Sequence, residues 1–277
     1  MNKSIREMQL ANKKKVFYLN KEEIEFLDNQ MENYVKHGIV LTENSVVFDV
    51  GANIGMFCLY CCELCSRNPE IYAFEPIPQI FEVLQLNVQR LDSDRIKIYN
   101  YGISNQTRNE VIFEYFPGAS GFSTMYSENL EEFRNSIKSV ILHNIEALAT
   151  FINEIRLIRI LPSFLQTWVV DFELNRKLKS KKVVCQVKTI SQIISEHNIQ
   201  QIDLLKIDVE KSELDVLLGI KNQDWSKIKQ IVIEVHDLGG RVDKIKALLS
   251  THNFGKIIIE QETYLSNSEY LNIYAMR

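Results

Sequence analysis

Short apolar runs that end in glycine or polar residues alternate along this chain with segments whose apolar positions recur every three or four residues. Residues 46–50, the run 71–74 and residues 96–101 read as buried strands. Residues 202–210 and 231–237 read the same way, each closing on polar groups. Helical patterns follow Gly55 and Pro78 and cover 191–197, 212–218 and 242–250; the helix after Pro78 turns Ile80, Phe81, Leu84 and Val88 inward. Residues 257–260 and 270–275 are expected to close the sheet as an antiparallel hairpin, while 111–116 and 183–187 read as further short strands. This alternation predicts an α/β fold with a mostly parallel sheet.

Two regions depart from that rhythm. Before the first strand, a helix is expected over 21–37, with Ile24, Leu27, Met31, Tyr34 and Val35 on one face, Asn20 and Glu23 as a reciprocal cap, and Gly38 as its end. Residues 123–182 are rich in helix formers and carry apolar positions from Ile137 to Ile155, interrupted by Arg156, Arg159 and Pro162. They predict a helical insertion forming a lid over the substrate side, with a helical pair used for dimerisation as the alternative. The chain is thus one domain: an N-terminal helical segment (1–44), a first half of the sheet (45–122), the lid (123–182) and a second half (183–277).

The chemistry starts at Val46-Val47-Phe48-Asp49-Val50-Gly51-Ala52-Asn53-Ile54-Gly55, a strand entering a tight glycine turn and then a helix. Glu75 lies 26 residues after Asp49, at the end of the second strand, and is followed by Pro76. A turn of this kind followed by an acid at that distance suits a nucleotide-like ligand across parallel strand ends, with the acid on the ribose hydroxyls. The glycines would let backbone approach that ligand. The turn is D-x-G-x-x-x-G; it has neither the G-x-G-x-x-G of dinucleotide folds nor the G-K-[ST] of a P-loop. An acid beside the turn disfavours a pyrophosphate and suits a cation. S-adenosylmethionine carries a sulfonium, an ammonium and a ribose, so it is the expected cofactor. The binding residues are then Asp49, Gly51, Asn53, Gly55, Glu75 and Pro76, with Gly102 and Ile103 near the adenine by analogy with other sheets that bind it, and Asp208 near its methionine part. The alternative is a structural glycine turn in another α/β domain.

Composition narrows the field. Apolar content of 45% and charged content of 25% are ordinary for a globular domain, and a net charge of −4 offers no electrostatic case for nucleic acid. No signal peptide is read at the polar start, and no uncharged run reaches the roughly 18 residues of a membrane span. An odd count of 5 cysteines argues against a disulfide scaffold, so the default is a reduced cytoplasmic protein. Cys58, Cys61, Cys62 and Cys65 have the look of a metal site. Their offsets are instead those of one buried helical stripe, and four thiolates on a straight helix cannot easily surround a tetrahedral zinc. No metal is assigned to them.

The segments FDVGANIG at 48–55, YAFEPIP at 72–78, IDLLKIDVEKSELDVLLGI at 202–220 and IVIEVHD at 231–237 carry a resemblance. The chain resembles the FkbM-type S-adenosylmethionine-dependent methyltransferases over about residues 20–115 and 183–277. It looks like the branch that acts in or beside polyketide and nonribosomal-peptide assembly lines, where a lysine follows the glutamate of the KIDVE block, as Lys211 does here, in place of glycine. The resemblance implies a Rossmann-like class I methyltransferase fold, with a seven-stranded, mostly parallel sheet whose last strand is antiparallel. It also implies O-methylation, with S-adenosylhomocysteine as product.

Transfer to a hydroxyl needs a base within hydrogen-bond reach. His236 is the expected base, since its ordinary pKa lies near neutrality, and Glu210 is expected to orient it. Glu234 and Asp237 are reserves, and each candidate also has a purely structural reading at its strand end or helix start. Asp208, Glu210 and His236 could alternatively hold Mg²⁺, which the motifs do not require. The expected acceptor is a hydroxyl on an acyl or peptidyl chain tethered to a carrier protein, whose usual acidity would suit the basic run 176–182. A free small molecule or sugar as acceptor, or a non-catalytic domain that only binds S-adenosylmethionine, are the alternatives.

Overall fold

The computed structural model describes residues 5–277 apart from 11, 12, 67, 92, 127 and 128. A hairpin of β1 (Arg6–Gln9) and β2 (Lys15–Tyr18) precedes α1 (Lys21–Gln30). The helix expected to reach His37 tightens into a 3-10 turn over Met31–Val35, and the chain turns at Gly38 with φ +101°. Tertiary ties hold that tighter turn: Tyr274 Oη donates to the Asn33 carbonyl and Tyr34 Oη to Asp208. Asn20 makes no side-chain cap to the helix backbone; its Nδ2 donates to Glu23 and to the Pro117 carbonyl.

The first half of the sheet is β3 (Val46–Val50), α2 (Met56–Leu64), β4 (Glu70–Phe74), α3 (Pro78–Gln89) and β5 (Ile96–Tyr99). Then come β6 (Gly102–Ile103), β7 (Arg108–Tyr115) and the helices α4 (Leu130–His143), α5 (Ile145–Leu148), α6 (Asn153–Arg159) and α7 (Ser163–Lys177). The second half runs β8 (Lys181–Lys188), α8 (Ile190–Glu196), β9 (Leu204–Ile207), α9 (Glu213–Leu218), β10 (Gln230–His236), α10 (Arg241–Thr251), β11 (Lys256–Glu260) and β12 (Tyr270–Met276).

The main sheet has seven strands in the order β11-β12-β10-β9-β3-β4-β5. The pairs β3/β4, β4/β5, β3/β9 and β9/β10 are parallel, and β12 alone runs against its neighbours β10 and β11. This is the sheet implied by the resemblance. β9, Leu204–Ile207, is buried at every position, as a strand covered on both faces must be. The chain leaves β3 toward β4 on one side and fills β9 and β10 on the other, so the crevice for a ligand opens at the carboxyl ends of β3 and β9.

The strands at 111–116 and 183–187 do not join the main sheet. β7 and β8 pair antiparallel, and β6 adds parallel to β8, making a separate three-stranded sheet. The helical insertion hangs from the tip of that pair. Its own hydrophobic cluster includes Ile137, Leu148, Ile155, Val170 and Leu174. The four cysteines of 58–65 are buried, and Cys58, Cys61 and Cys62 pack in the core on one face of the main sheet, as the stripe pattern predicts. Asn87, also buried, ties the N-terminal hairpin to the glycine turn: it accepts from Phe17 N and donates to the Phe17 and Ile54 carbonyls. Among the described residues no helix is long and apolar enough to cross a membrane.

Candidate active site

One cavity of about 530 Å³ lies at the crevice, between the strand ends, α1 and the insertion. Of the residues expected at the site, Gly51, Asn53, Glu75, Pro76, Gly102, Ile103, Asp208 and Glu210 line it. Asp49, Gly55 and His236 do not line it.

The glycine turn is held by backbone: Gly51 N and Ala52 N both donate to the Phe74 carbonyl at the end of β4. Gly51 has φ +78°, and a Cβ there would stand 1.7 Å from the Asp208 carbonyl oxygen. The close approach that demands glycine is therefore between two strand ends, not between backbone and ligand. Gly55, with φ +89°, starts α2, where a Cβ would press on Leu84. It shapes the turn without reaching the cavity.

Asp49 is fully buried and lies behind Lys206, which lines the cavity where Asp49 does not. Its register partner on β9 is Lys206, whose Nζ lies 3.1 Å from Asp49 Oδ1 and 3.5 Å from Asp208 Oδ2 and donates to the Gly51 carbonyl at 2.9 Å. The acid at the head of the motif does meet a cation, but that cation is the protein's own ammonium. Burial alone would lower Lys206; Asp49 and Asp208 outweigh it and hold the lysine above its ordinary range. Asp49 thus supports the cofactor site only through Lys206. A lysine inside the apolar run 202–207 was the available signal for this group, since a buried lysine needs acid partners.

Glu75, 5% exposed, accepts from Ile77 N through Oε1 and from Asn53 N through Oε2. Burial raises its carboxyl to about 7 against those two donors. Each oxygen takes one backbone donor and keeps acceptor capacity, which fits the two hydroxyls of a ribose. The surrounding cavity groups Asp208, Glu210 and Glu234 make this end acidic, suited to a sulfonium and an ammonium and not to phosphate.

His236 departs from the role expected for it. It is 2% exposed; Nδ1 lies 3.0 Å from Glu213 Oε1, and Nε2 lies 3.1 Å from Glu210 Oε2 in an ion-pair contact not aligned as a hydrogen bond. Arg241 in turn donates to Glu213 Oε2. Burial lowers the imidazole, but Glu210 and then Glu213 push it up to about 10. Buried behind Glu210 and outside the cavity lining, His236 is not placed to reach an acceptor hydroxyl, and the two carboxylates favour its charged form, so its expected role as base is corrected. The expected pairing with Glu210 is present with its sense reversed: Glu210 faces the cavity and His236 stands behind it. Burial raises the Glu210 carboxyl, with His236 opposing, which moves it toward the range of a useful base.

Glu210 and Lys211 have φ of +47° and +78°, two successive non-glycine residues in the left-handed region. Thr124 Oγ1 donates to the Glu210 carbonyl, Lys211 N donates to Glu213 Oε1, and the Lys211 ammonium lies 4.5 Å over the Phe133 ring of α4. These ties hold the strained loop and join it to the insertion.

Asp208 accepts from Tyr34 and faces the cavity. Ligand oxygens of Asp208, Glu210 and Glu234 lie within 4.8 Å of one another. Glu234, first by burial and then by Asp208 and Glu210, is raised well above the usual carboxylate range. In the set considered for Mg²⁺, Glu234 therefore takes the place of His236. Asp237, the other reserve, accepts from Val242 N at the start of α10 and does not line the cavity. Glu23 of α1 closes the far wall, accepting from Ser120 N and Ser120 Oγ.

Comparison with known proteins gives consistent results. The profile of the Methyltransferase FkbM domain matches residues 49–258. The AMB antimetabolite synthetase AmbE of Pseudomonas aeruginosa is 34% identical over 98% of this chain, which spans only 12% of that protein's length. The 31-O-demethyl-FK506 methyltransferase FkbM of Streptomyces tacrolimicus is 30% identical, covering 100% of this chain and 99% of that protein. A crystal structure of methyltransferase FkbM from Methylobacillus flagellatus shares the fold at 16% identity and a TM-score of 0.52, over 87% of this chain and 46% of that one.

Proposed function

Because the chain belongs to the FkbM methyltransferase family, we propose that it methylates a hydroxyl on an acyl or peptidyl intermediate tethered to a carrier protein. Family membership makes it an S-adenosylmethionine-dependent methyltransferase of class I fold. Oxygen as the acceptor, and the tether, are the proposal. One observation carries it: a single cavity joins the acidic turn at Glu75 to Glu210 and to the apolar inner face of the insertion.

When bound, S-adenosylmethionine supplies a methyl group on a sulfonium, open to in-line displacement. The chain's own residues do the rest. Glu75 would hold the ribose hydroxyls, Gly102 and Ile103 the adenine, and Asp208 the cationic methionine part. Lys206 keeps Asp208 and the Gly51 turn in place. Glu210 accepts the proton of the acceptor hydroxyl, and His236 positions its carboxylate. Holding base and hydroxyl together removes much of the entropic barrier.

The acceptor atom is supported by the relative named for 31-O-demethyl-FK506, and an assembly-line setting by the antimetabolite synthetase in which a stretch aligns with this chain. A tethered substrate is supported by α7, where Phe164, Trp168 and Phe172 stand exposed at four-residue spacing and Arg176 continues the stripe. Lys179, Lys181 and Lys182 follow it. Such a surface suits an acidic partner with an apolar patch.

The deciding experiment is intact-mass analysis of hydroxyacyl-loaded carrier proteins incubated with the protein and S-adenosylmethionine. Gain of one methyl group is expected. Gain on free hydroxyacyl thioesters but on no carrier would move the reading to a free small molecule.

The carboxylate trio favours a second reading, with a divalent cation held by Asp208, Glu210 and Glu234, since oxygen donors suit such ions. Dialysis against EDTA separates the two. Loss of activity restored by Mg²⁺ would make Glu210 a ligand; unchanged activity leaves it as the base.

A further inference from the structure

The cavity is far larger than the voids a packed interior normally leaves. Much of its wall comes from the insertion: Ile137 and Ile141 of α4, Ile155 and Ile158 of α6, and Val170 and Leu174 of α7. These are branched aliphatic side chains, and all but Ile141 also belong to the buried cluster of the insertion, which builds its core around this space. The charged cavity residues contributed by α6 and α7 are Glu154, Glu173, Arg176 and Lys177. They are exposed or half-buried, and Arg176 is bonded to Glu173. The insertion therefore presents an aliphatic interior and a charged rim. An aliphatic wall of this kind favours apolar ligand groups and disfavours groups whose hydrogen bonds it cannot replace.

We infer that the chamber under α4, α6 and α7 binds the aliphatic body of an elongated hydroxyacyl acceptor, and so selects an acyl chain over a sugar or a polar peptide. This rests on the methyl-transfer reading and names its substrate class. The hydroxyl would lie at Glu210, the aliphatic body against the six side chains, and the thioester end toward the charged rim. The carboxylate cluster fixes where the hydroxyl goes; the chamber sets how much chain is accepted beyond it.

The test uses the unmodified full chain with S-adenosylhomocysteine, which has no methyl group to transfer, so that binding is read without turnover. Saturated acyl N-acetylcysteamine thioesters of four to twelve carbons are titrated by calorimetry in the presence of S-adenosylhomocysteine. The dissociation constant is expected to fall about 3- to 4-fold per added methylene until the chamber is full. A series flat with length, or equal binding of a hexose or a serine dipeptide thioester, overturns the inference. Two variants sharpen the result. Val170→Trp fills the chamber and is expected to shorten the longest chain bound; Ile155→Asn adds an amide there and is expected to weaken long chains at least tenfold. Both should bind S-adenosylhomocysteine as before, which reports that they fold. Unchanged chain-length dependence in both also overturns the inference. Stepped acyl binding with no methyl transfer to any hydroxyacyl thioester leaves the chamber standing and removes the O-methyl reading. Methyl transfer without stepped binding does the reverse.

Discussion

Lys206 and His236 sit at neighbouring strand ends, each buried between two carboxylates, yet they are charged for different reasons. Lys206 lies between Asp49 and Asp208 on β9 and is 3% exposed. An ammonium is cationic at any physiological pH, and its two acids strengthen that state. His236 on β10 is drawn toward its cationic form by the flanking Glu210 and Glu213. The first cation is a fixed part of the frame on the cofactor side. The second is borrowed from its neighbours, and one of these, Glu210, is the residue proposed to take the acceptor's proton. The two sides of the cavity should therefore respond differently to mutation and to pH.

The largest contrast is expected in turnover. Glu210→Gln keeps shape and removes the proton acceptor. Turnover should fall about 10²- to 10⁴-fold, while binding of S-adenosylmethionine, measured by calorimetry, stays within a few-fold. An unaffected rate would take the base role from Glu210. Lys206→Met attacks the other side. It strands Asp49, which has no exposure, and the cost should be about 3–5 kcal/mol in urea unfolding. Cofactor binding should weaken with it, because the same ammonium holds the Gly51 carbonyl.

These two residues also mark what was legible in the chain and what was not. That Gly51, Asn53, Glu75, Pro76, Gly102 and Ile103 meet at one cavity was readable because strand ends and short turns are local, and a parallel sheet lines them up. An acid at the head of the glycine turn suits a cation, but no local pattern says that the cation is a lysine standing between Asp49 and the cavity. The register of Asp49 opposite Lys206 arises between residues 157 positions apart, a distance over which no local pattern reports. His236 ends its strand beside Glu210, but the structure sets it behind that residue and outside the cavity. Its protonation depends on Glu213, buried on α9, which in sequence is one more acid at a helix start. The pairing of β7 with β8 was hidden likewise. Both strands were visible, but the helices between them carry no signal that their flanks form a separate sheet.

pH sharpens the comparison without mutation. The folded pKa of His236 is about 10 against an ordinary 6.5, so its contribution is fully present below 6.5 and lost as pH rises through 10. The expected slope is about 1.4 kcal/mol per pH unit across that window. Glu75, raised to about 7, acts in the same direction between 4.5 and 7, since its protonated form favours the fold. Lys206, held above the ordinary lysine range, adds no slope near neutrality. Urea midpoints at pH 6.5, 8 and 9.5 should decline steadily. Glu213→Gln should flatten that decline by removing one of the two acids that hold the imidazolium. A midpoint independent of pH would mean that His236 is neutral.

The smallest effect should come at Lys211, where backbone and side chain pull in opposite directions. A lysine at φ +78° costs about 1–2 kcal/mol relative to an allowed conformation, and glycine would relieve it. Glycine also raises the entropy of the unfolded chain, by about 0.5–1 kcal/mol. It removes the ammonium from the Phe133 ring, worth about 0.5–1 kcal/mol more. Lys211→Gly should therefore leave stability within about 1 kcal/mol of the parent. Its effect should appear at the acceptor instead. Phe133 belongs to α4, whose Ile137 and Ile141 line the cavity, so the Lys211 contact couples the Glu210 loop to the insertion. Loss of that contact should raise KM for long hydroxyacyl thioesters several-fold and leave short ones unchanged. Equal loss for both lengths would place the role of Lys211 in shaping the Glu210 loop itself, and the insertion would then owe its position to its own core.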